Sequence, residues 1–329
     1  MPLFKDPRIA VDIGASHVRV AISDGPLLTE VVEDRVADLE SRYDGDLIAA
    51  VEETIAKVAA VLPGNAGALP AIGVGVASVV DEYGSLRAPL GRGIPPGTAL
   101  RDRLAARFRT SVVVDNDASL AALGEAVHGV GQGEQDLVLI TLGTNIGMGI
   151  VAGGAIYRGA RGAAGEVGTL PLSLSAEDTR AWARVRAERP TWAAQSSAPE
   201  GYVWLEELYG GKALARTLAE AHDGDAPAPE PTAIDRVLPA AAAGDARAQA
   251  IVERAIHAWA TAIATVCNVL DPGVVVLGGG ISDDLPPFLP RLREETAAFL
   301  PQRCPPIEMS ALGPVAGLIG AGVVARGAR

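Results

Sequence analysis

Cysteine is nearly absent from this sequence. Cys267 and Cys304 are the only two in 329 residues, and neither has a second cysteine at CxxC spacing. That excludes a disulfide framework and a cysteine-rich zinc site, and the two thiols read as inert groups in a reducing compartment. Positive charge is also scarce: 28 lysines and arginines face 40 aspartates and glutamates, for a net charge of −12. A nucleic-acid grip needs a basic face and docking on anionic lipid needs a basic cluster, so neither partner is expected. Phosphate binding is not excluded, because backbone N–H groups and Mg²⁺ can carry it locally. The opening MPLFKDPRIAVDIG lacks a signal-peptide layout. The most apolar stretch, residues 255–270, carries His257 and Asn268 and is short for a membrane span. These absences point to a cytoplasmic protein.

What is present is a recurring α/β pattern on a length that suits about two domains. RIAVD (8–12) and HVRVAI (17–22) flank a glycine turn and read as a β-hairpin. Residues 46–62 place Leu47, Val51, Ile55, Val58 and Leu62 on one helical stripe, with Asp46 or Asp44 as cap. AIGVGVASVVD (71–81) reads as a buried strand, SVVVDND (111–117) as another that runs into the helix ASLAALGEAV. LVLITLGTNIGMGIVAGG (137–154) repeats the strand–glycine–strand theme, and GVVVLGGGIS (273–282) follows a long apolar helix near 246–270. The modules beginning near Ile9 and Leu137 predict two similar lobes with mixed sheets, rather than one doubly wound sheet. Residues 222–233 read as an exposed Pro- and Asp-rich loop, and 172–201, with Trp182 and Trp192, show no clear pattern.

Four segments carry candidate chemistry. In Asp12-Ile13-Gly14-Ala15-Ser16, Gly14 admits a phosphate close to the backbone, Ser16 can donate to it and Asp12 can hold Mg²⁺ through water. The same residues also make a plain hairpin turn. Thr141 to Gly149, with Gly143 and Thr144 at the turn, can cradle a second phosphate group or form structural bulges. Gly278, Gly279 and Gly280 end a strand in bare backbone suited to a nucleotide, or to a simple loop exit. Asn116 and Asp117 close a strand and open a helix. Asp117 is either a helix N-cap or a base for an attacking hydroxyl, with Asn116 on a neighbouring hydroxyl; a helix N-terminus favours the carboxylate in both roles.

In order, these segments resemble the ROK family (repressor, open reading frame, kinase) over nearly the whole chain. TLGTNIGMGIVAGGAIYRGARGAAGEVG (141–168) is similar to the family's hallmark TLGTGIGGGI followed by GAxGxAGExGH. VVDNDASLAALGE (113–125), CNVLDPGVVVLGGGIS (267–282) and ALGPVAGLIGAG (311–322) match further family segments. The resemblance implies an actin-like ATPase (ribonuclease H-like) fold, two-lobed with a central cleft: residues 1–117 plus about 311–329 as the small lobe and 118–310 as the large one. It implies an ATP- and Mg²⁺-dependent kinase acting on a hydroxyl of a hexose, modified hexose or cyclitol, and a homodimer. Carried over, Asp12, Gly14 and Ser16 face the phosphates from one lobe and Gly143 and Thr144 from the other, while Gly278 and Gly279 lie against adenosine. Asn116 binds a sugar hydroxyl and Asp117 is the base. Glu166 binds further ring hydroxyls, and Glu206, in VWLEELYGGKAL (203–214), is another sugar-binding carboxylate.

The departures are local. Thr169 stands where zinc-binding members carry a histidine that also touches the sugar, and no cysteine lies between residues 170 and 266. No structural zinc is therefore expected, and ring recognition must differ. Ala77 and Ser78 replace a Pro-Gly pair, Leu90-Gly91-Arg92 replaces a sugar-contact loop, and Ser16 and His17 replace Thr-Lys. A repressor is disfavoured because no helix-turn-helix precedes the first motif. A catalytically silent sugar-binding or regulatory protein is the alternative reading, against which the presence of Asn116, Asp117, Glu166 and Glu206 counts.

Overall fold

The computed structural model describes residues 5–62, 69–88, 94–173, 198–199, 201–222 and 236–327. Strands β1 (Arg8–Ile13), β2 (His17–Asp24) and β3 (Leu27–Arg35) form an antiparallel meander. Helices α1 (Val36–Arg42) and α2 (Leu47–Ala60) lead to β4 (Ile72–Val76), and α3 (Leu100–Phe108) leads to β5 (Val112–Asn116); both strands run parallel to β1 in the order β3-β2-β1-β4-β5. Helix α4 (Asp117–His128) then opens a second round of the same topology. Its meander is β6 (Leu137–Leu142), β7 (Ile146–Ala152) and β8 (Ala155–Ile156). A short ribbon, β9 (Pro171–Ser173) with β10 (Tyr202–Trp204), precedes helices α5 (Leu205–Tyr209), α6 (Gly211–His222), α7 (Val237–Ala242) and α8 (Ala246–Leu270). Then β11 (Val274–Gly278), α9 (Leu289–Ala298), β12 (Ile307–Met309) and α10 (Ala316–Arg326) complete the second sheet and the chain's last helix. The second sheet is ordered β12-β11-β6-β7-β8, the first order repeated element for element.

Period-2 alternation assigns each sheet's faces. Ile9, Val11 and Ile13 point into a core with Val51 and Ile55 of α2 and Leu100 and Leu104 of α3. The opposite face carries small residues, Ala10 and Ala21, which meet Leu318 and Ala321 of α10 and Leu120 of α4. In the second sheet Val138, Ile140 and Leu142 pack with Trp259 and Ile263 of α8, while Leu137 and Leu139 pack with Ala121 and Ala122 of α4. Helices α4 and α10 therefore lie together between the two sheets. Their contact is bare: a Cβ on Gly320 would fall 1.8 Å from the Leu120 carbonyl oxygen, and one on Gly124 would fall 2.5 Å from that of Ala316. At the far end of α4, the buried Glu125 carboxylate accepts from the backbone N–H groups of Val130 (3.0 Å), Leu312 (2.9 Å) and Ala311 (3.4 Å) and from the Ser310 hydroxyl (2.5 Å).

Two expectations change in detail. The strand expected over 71–81 ends at Val76: after a last rung from the Ala77 N–H to the Ile13 carbonyl (2.9 Å), the Ser78 N–H turns back to the Val76 carbonyl (2.8 Å), and Val80 forms an isolated bridge with Leu86. Asp46 rather than Asp44 caps α2, accepting from the Ala49 N–H at 2.9 Å, while Asp44 sits at φ +51°. The apolar stretch 255–270 is the end of the longer helix α8. Its 25 residues are long and apolar enough to cross a bilayer, yet 67% of its most apolar window is buried inside the protein as core. Residues 90–92 and most of 172–201 and 222–233 lie outside the described residues.

Gly320→Ala isolates the α4–α10 contact. Alanine is intrinsically the better helix former, but its Cβ would strike backbone rather than a movable side chain. Thermal or urea denaturation should show a net loss of about 1–3 kcal/mol. A variant as stable as the parent would show that the two helices separate freely.

Candidate functional site

Both meanders end their first strand in a glycine turn at the same topological position. In the first, the Gly14 N–H donates to the His17 carbonyl (2.9 Å) and the Ser16 carbonyl accepts from Val36 (2.9 Å), leaving Ala15 and Ser16 exposed. In the second, the Gly143 N–H donates to the Asn145 carbonyl (3.0 Å), and the Thr141 hydroxyl accepts from Gly147 (3.1 Å). The Gly143 and Thr144 carbonyls accept from Gly211 (2.8 Å) and Lys212 (3.3 Å), so α6 begins on this turn. The exit of β11 reaches the same place. Gly279, at φ +92°, lies where a Cβ would be 2.5 Å from the Leu142 carbonyl oxygen, and a Cβ on Gly143 would be 3.7 Å from the Gly280 N atom. Gly279 and Gly280 are exposed, and Gly280 has open space on its Cβ side. Half-buried Gly143 and Thr144 thus adjoin exposed Gly279 and Gly280 in one glycine-rich edge, with Gly278 just inside it against Ser310.

The acidic residues lie along the line where the sheets meet. Asp12 projects from the small-residue face of β1 toward α10: a Cβ on Gly317 would be 3.5 Å from its carboxyl carbon. Gly75 of β4 separates it from α4, its Cβ position being 3.7 Å from Asp12 Oδ1 and 3.5 Å from the Asp117 Cα. Burial, then the charge of Asp117, push the Asp12 carboxyl up to about 7, against the opposing pull of Arg19, whose Nη1 lies 3.5 Å from Oδ2. Burial, with the charge of Glu166, also raises Asp117. Burial raises Glu166, which is followed by a short 3-10 turn (Val167–Thr169). Glu206 is raised by burial and by Glu166, although the Ile146 N–H donates to it at 3.4 Å. Each carboxylate therefore feels the next, from Asp12 through Asp117 and Glu166 to Glu206.

Asn116, not Asp117, is the cap of α4. Its Oδ1 accepts from the Ser119 N–H (3.0 Å), and its Nδ2 donates to the Ser78 carbonyl (3.4 Å). Asp117 occupies the first helical position, where its carboxylate accepts the N–H of the next residue, Ala118, at 2.8 Å and also its own backbone N–H. The capping alternative for Asp117 is thus taken by its neighbour, because Asn116 has the extended backbone (φ −64°, ψ 141°) that a cap requires. Thr169 is exposed and its hydroxyl donates to the Glu166 carbonyl (2.9 Å).

Three groups near this site had no signal in a linear reading. Arg19 pairs with Glu33 (2.9 Å) as well as Asp12, and only the hairpin register, which sets Asp12 opposite Arg19, brings it here. Asp115 is buried, and Arg158 donates to it at 2.8 Å from 43 residues away. These residues fit a Mg²⁺–nucleotide. A mutually repelling acid pair at Asp12 and Asp117 is one that a divalent cation relieves, and the Gly143–Gly280 edge lets an anion approach the backbone without side-chain obstruction.

Comparison with known proteins is consistent along the chain. A sequence model of the ROK family matches residues 8–328. The bifunctional enzyme NanE/NanK of Brucella melitensis biotype 1 is 32% identical over 318 residues, covering 95% of this chain and 53% of the relative, so the chain spans about half of that protein's length. A glucokinase of Halalkalibacterium halodurans is 32% identical over 234 residues, 68% of this chain and 66% of the relative. The ROK hexokinase structure from Thermus thermophilus superposes with a TM-score of 0.73 at 28% identity, covering 97% of this chain and 98% of that one.

The Asp12 environment makes stability depend on pH. With its carboxyl raised from 3.8 to about 7, the folded protein keeps a proton that the unfolded chain has released. This group's contribution therefore declines as pH climbs from about 4 to about 7, and is level above that. In metal-free buffer, Asp12→Asn should raise the thermal midpoint at pH 8 and change it little at pH 4. Parallel pH profiles for the two proteins would contradict this.

Proposed function

The chain belongs to the ROK family and has its actin-like ATPase fold, and from that premise we propose that it is an ATP-dependent kinase for a hydroxyl of a hexose or modified hexose. The supporting observation is the line of coupled carboxylates, Asp12, Asp117, Glu166 and Glu206, set where the two sheets meet. Its two ends suit different work: Asp12 lies beside the first glycine turn, while Glu166 and Glu206 lie on segments of the second half. Asp117 stands between them.

In this reading residues 1–117 with about 311–329 form one lobe and 118–310 the other, closing on a cleft. Gly14 and Ser16 hold phosphates from one side, Gly143 and Thr144 from the other, and Gly278 and Gly279 back the adenosine. Asp12 would hold Mg²⁺ through water, and the ion would neutralise charge on the β- and γ-phosphate oxygens. Asn116, Glu166 and Glu206 bind ring hydroxyls. Asp117 accepts the proton of the attacking hydroxyl as its oxygen bonds to the γ-phosphorus and the bond to the ADP oxygen breaks. A carboxyl raised by burial is a better-matched base near neutral pH than an exposed one. Thr169 spends its proton on the Glu166 carbonyl, so it offers the sugar no ring nitrogen and only an accepting oxygen. That favours a substrate modified relative to glucose at the position facing it.

The test is a screen of ADP release against hexoses, amino sugars and cyclitols, with product identified by ³¹P NMR. One class should give one phosphate ester per ADP; a protein that binds a sugar without accelerating ADP release is the silent reading. With the accepted sugar at saturation, Asp117→Asn should lose about 10²–10⁴ in turnover. It should retain nucleotide binding and near-parental thermal stability, since Asn116 carries the cap. Parental turnover in that variant would remove Asp117 from the mechanism.

A further inference from the structure

The segment between β8 and Glu166 crosses from the second sheet to the first. Arg158 donates from Nε (2.8 Å) and Nη2 (2.6 Å) to Oδ2 of Asp115 on β5. Asp115 is 4% exposed, and its other oxygen accepts the backbone N–H of Asn116 at 2.9 Å. Further along, Gly162, at φ +74°, lies on the first sheet's flank: a Cβ there would be 2.0 Å from the Val80 carbonyl oxygen. The segment closes on itself where the Ala164 N–H donates to the Arg158 carbonyl (3.1 Å), and Gly165 packs on the Met148 carbonyl of β7. Glu166 is the next residue.

One carboxylate thus holds two things at once, the backbone of Asn116 and the arginine that opens the Glu166 segment. The arginine fork fixes direction as well as distance, and a buried carboxylate strongly resists losing its partner. We propose that the Asp115–Arg158 ion pair is a positioning strut for the acceptor: it sets Glu166 against Asn116 and Asp117, and so governs sugar affinity and orientation while leaving the nucleotide site alone. The substrate consequence rests on the kinase reading; the mechanical one does not. Neither residue touches the glycine edge formed by Gly143 and Gly280, so the sugar and nucleotide terms should separate.

The test compares the parent with Arg158→Lys and with the double variant Asp115→Asn/Arg158→Met, which removes both charges and leaves neither stranded. The double variant should melt near the parent. Its kcat/KM for the sugar should fall about 10- to 100-fold with the KM for ATP unchanged, and Arg158→Lys should fall between. Hydrogen exchange on the same proteins should quicken in peptides covering 157–168 and nowhere else. Unchanged sugar kinetics, or equal losses for sugar and ATP, would overturn the strut. If the parent phosphorylates no sugar, the kinase reading fails alone and exchange decides: quickening confined to 157–168 upholds the strut, and unchanged exchange overturns it.

Discussion

The molecule depends on two helices approaching without side chains between them. Gly320 lies on the Leu120 carbonyl and Gly124 on that of Ala316, so α4 and α10 touch backbone to backbone. Because α4 packs on the second sheet and α10 on the first, that contact sets the distance between the halves. It also holds Asp12 beside the start of α10, where a Cβ on Gly317 would be 3.5 Å from its carboxyl carbon, and within electrostatic range of Asp117 at the start of α4. Toward the C-terminal end of α4, Glu125 binds the loop that leads into α10 through three donors, Ser310, Ala311 and Leu312, and accepts a fourth from Val130 just past α4. Such a bundle of hydrogen bonds on one buried carboxylate tolerates no slippage, since each donor left unpaired would carry a desolvation cost of about 1–3 kcal/mol.

The consequence for chemistry is electrostatic. The packing holds Asp12 within range of Asp117, Glu166 lies within range of Asp117 in turn, and desolvation raises each of them. Left to itself, the arrangement is unfavourable, and Arg19 offsets only part of it at Asp12. Acids held in a costly arrangement by a rigid frame are typical of sites poised for a cation and a proton transfer. The same frame explains how the site separates its tasks. The bare edge at Gly143 and Gly280 is built from the second sheet alone, whereas Glu166 ends a segment that Arg158 ties across to Asp115 of the first sheet.

Much of this frame was legible in the sequence because local periodicity and glycine chemistry dictate it. The hairpins around Gly14 and Gly143, the α2 stripe and the repeated modules need only alternation and helical spacing. The ROK resemblance named the site residues, and their roles remain a proposal. What was not legible is tertiary. Ala77 to Asp81 have strand composition, yet the chain leaves the sheet at Ser78, whose N–H turns back to the Val76 carbonyl, and the Asp81 N–H goes to Ser85. Asn116 and Asp117 are both good caps, and only backbone angles assign the cap to Asn116. Glu125 looks like an ordinary helix acid until it is found fully buried. Arg158 and Asp115 are 43 residues apart, beyond any local rule.

The most direct measurement is a crystal structure with Mg²⁺, a non-hydrolysable ATP analogue and the accepted sugar. The account predicts phosphates between the Gly14 and Gly143 turns, with adenosine over Gly279. One sugar hydroxyl should lie about 2.6–3.2 Å from the Asp117 carboxylate and in line with the γ-phosphorus, while Asn116, Glu166 and Glu206 hold its neighbours. A ternary complex with the sugar bound away from Asp117, its carboxylate still engaged with backbone N–H groups and no hydroxyl, would contradict it.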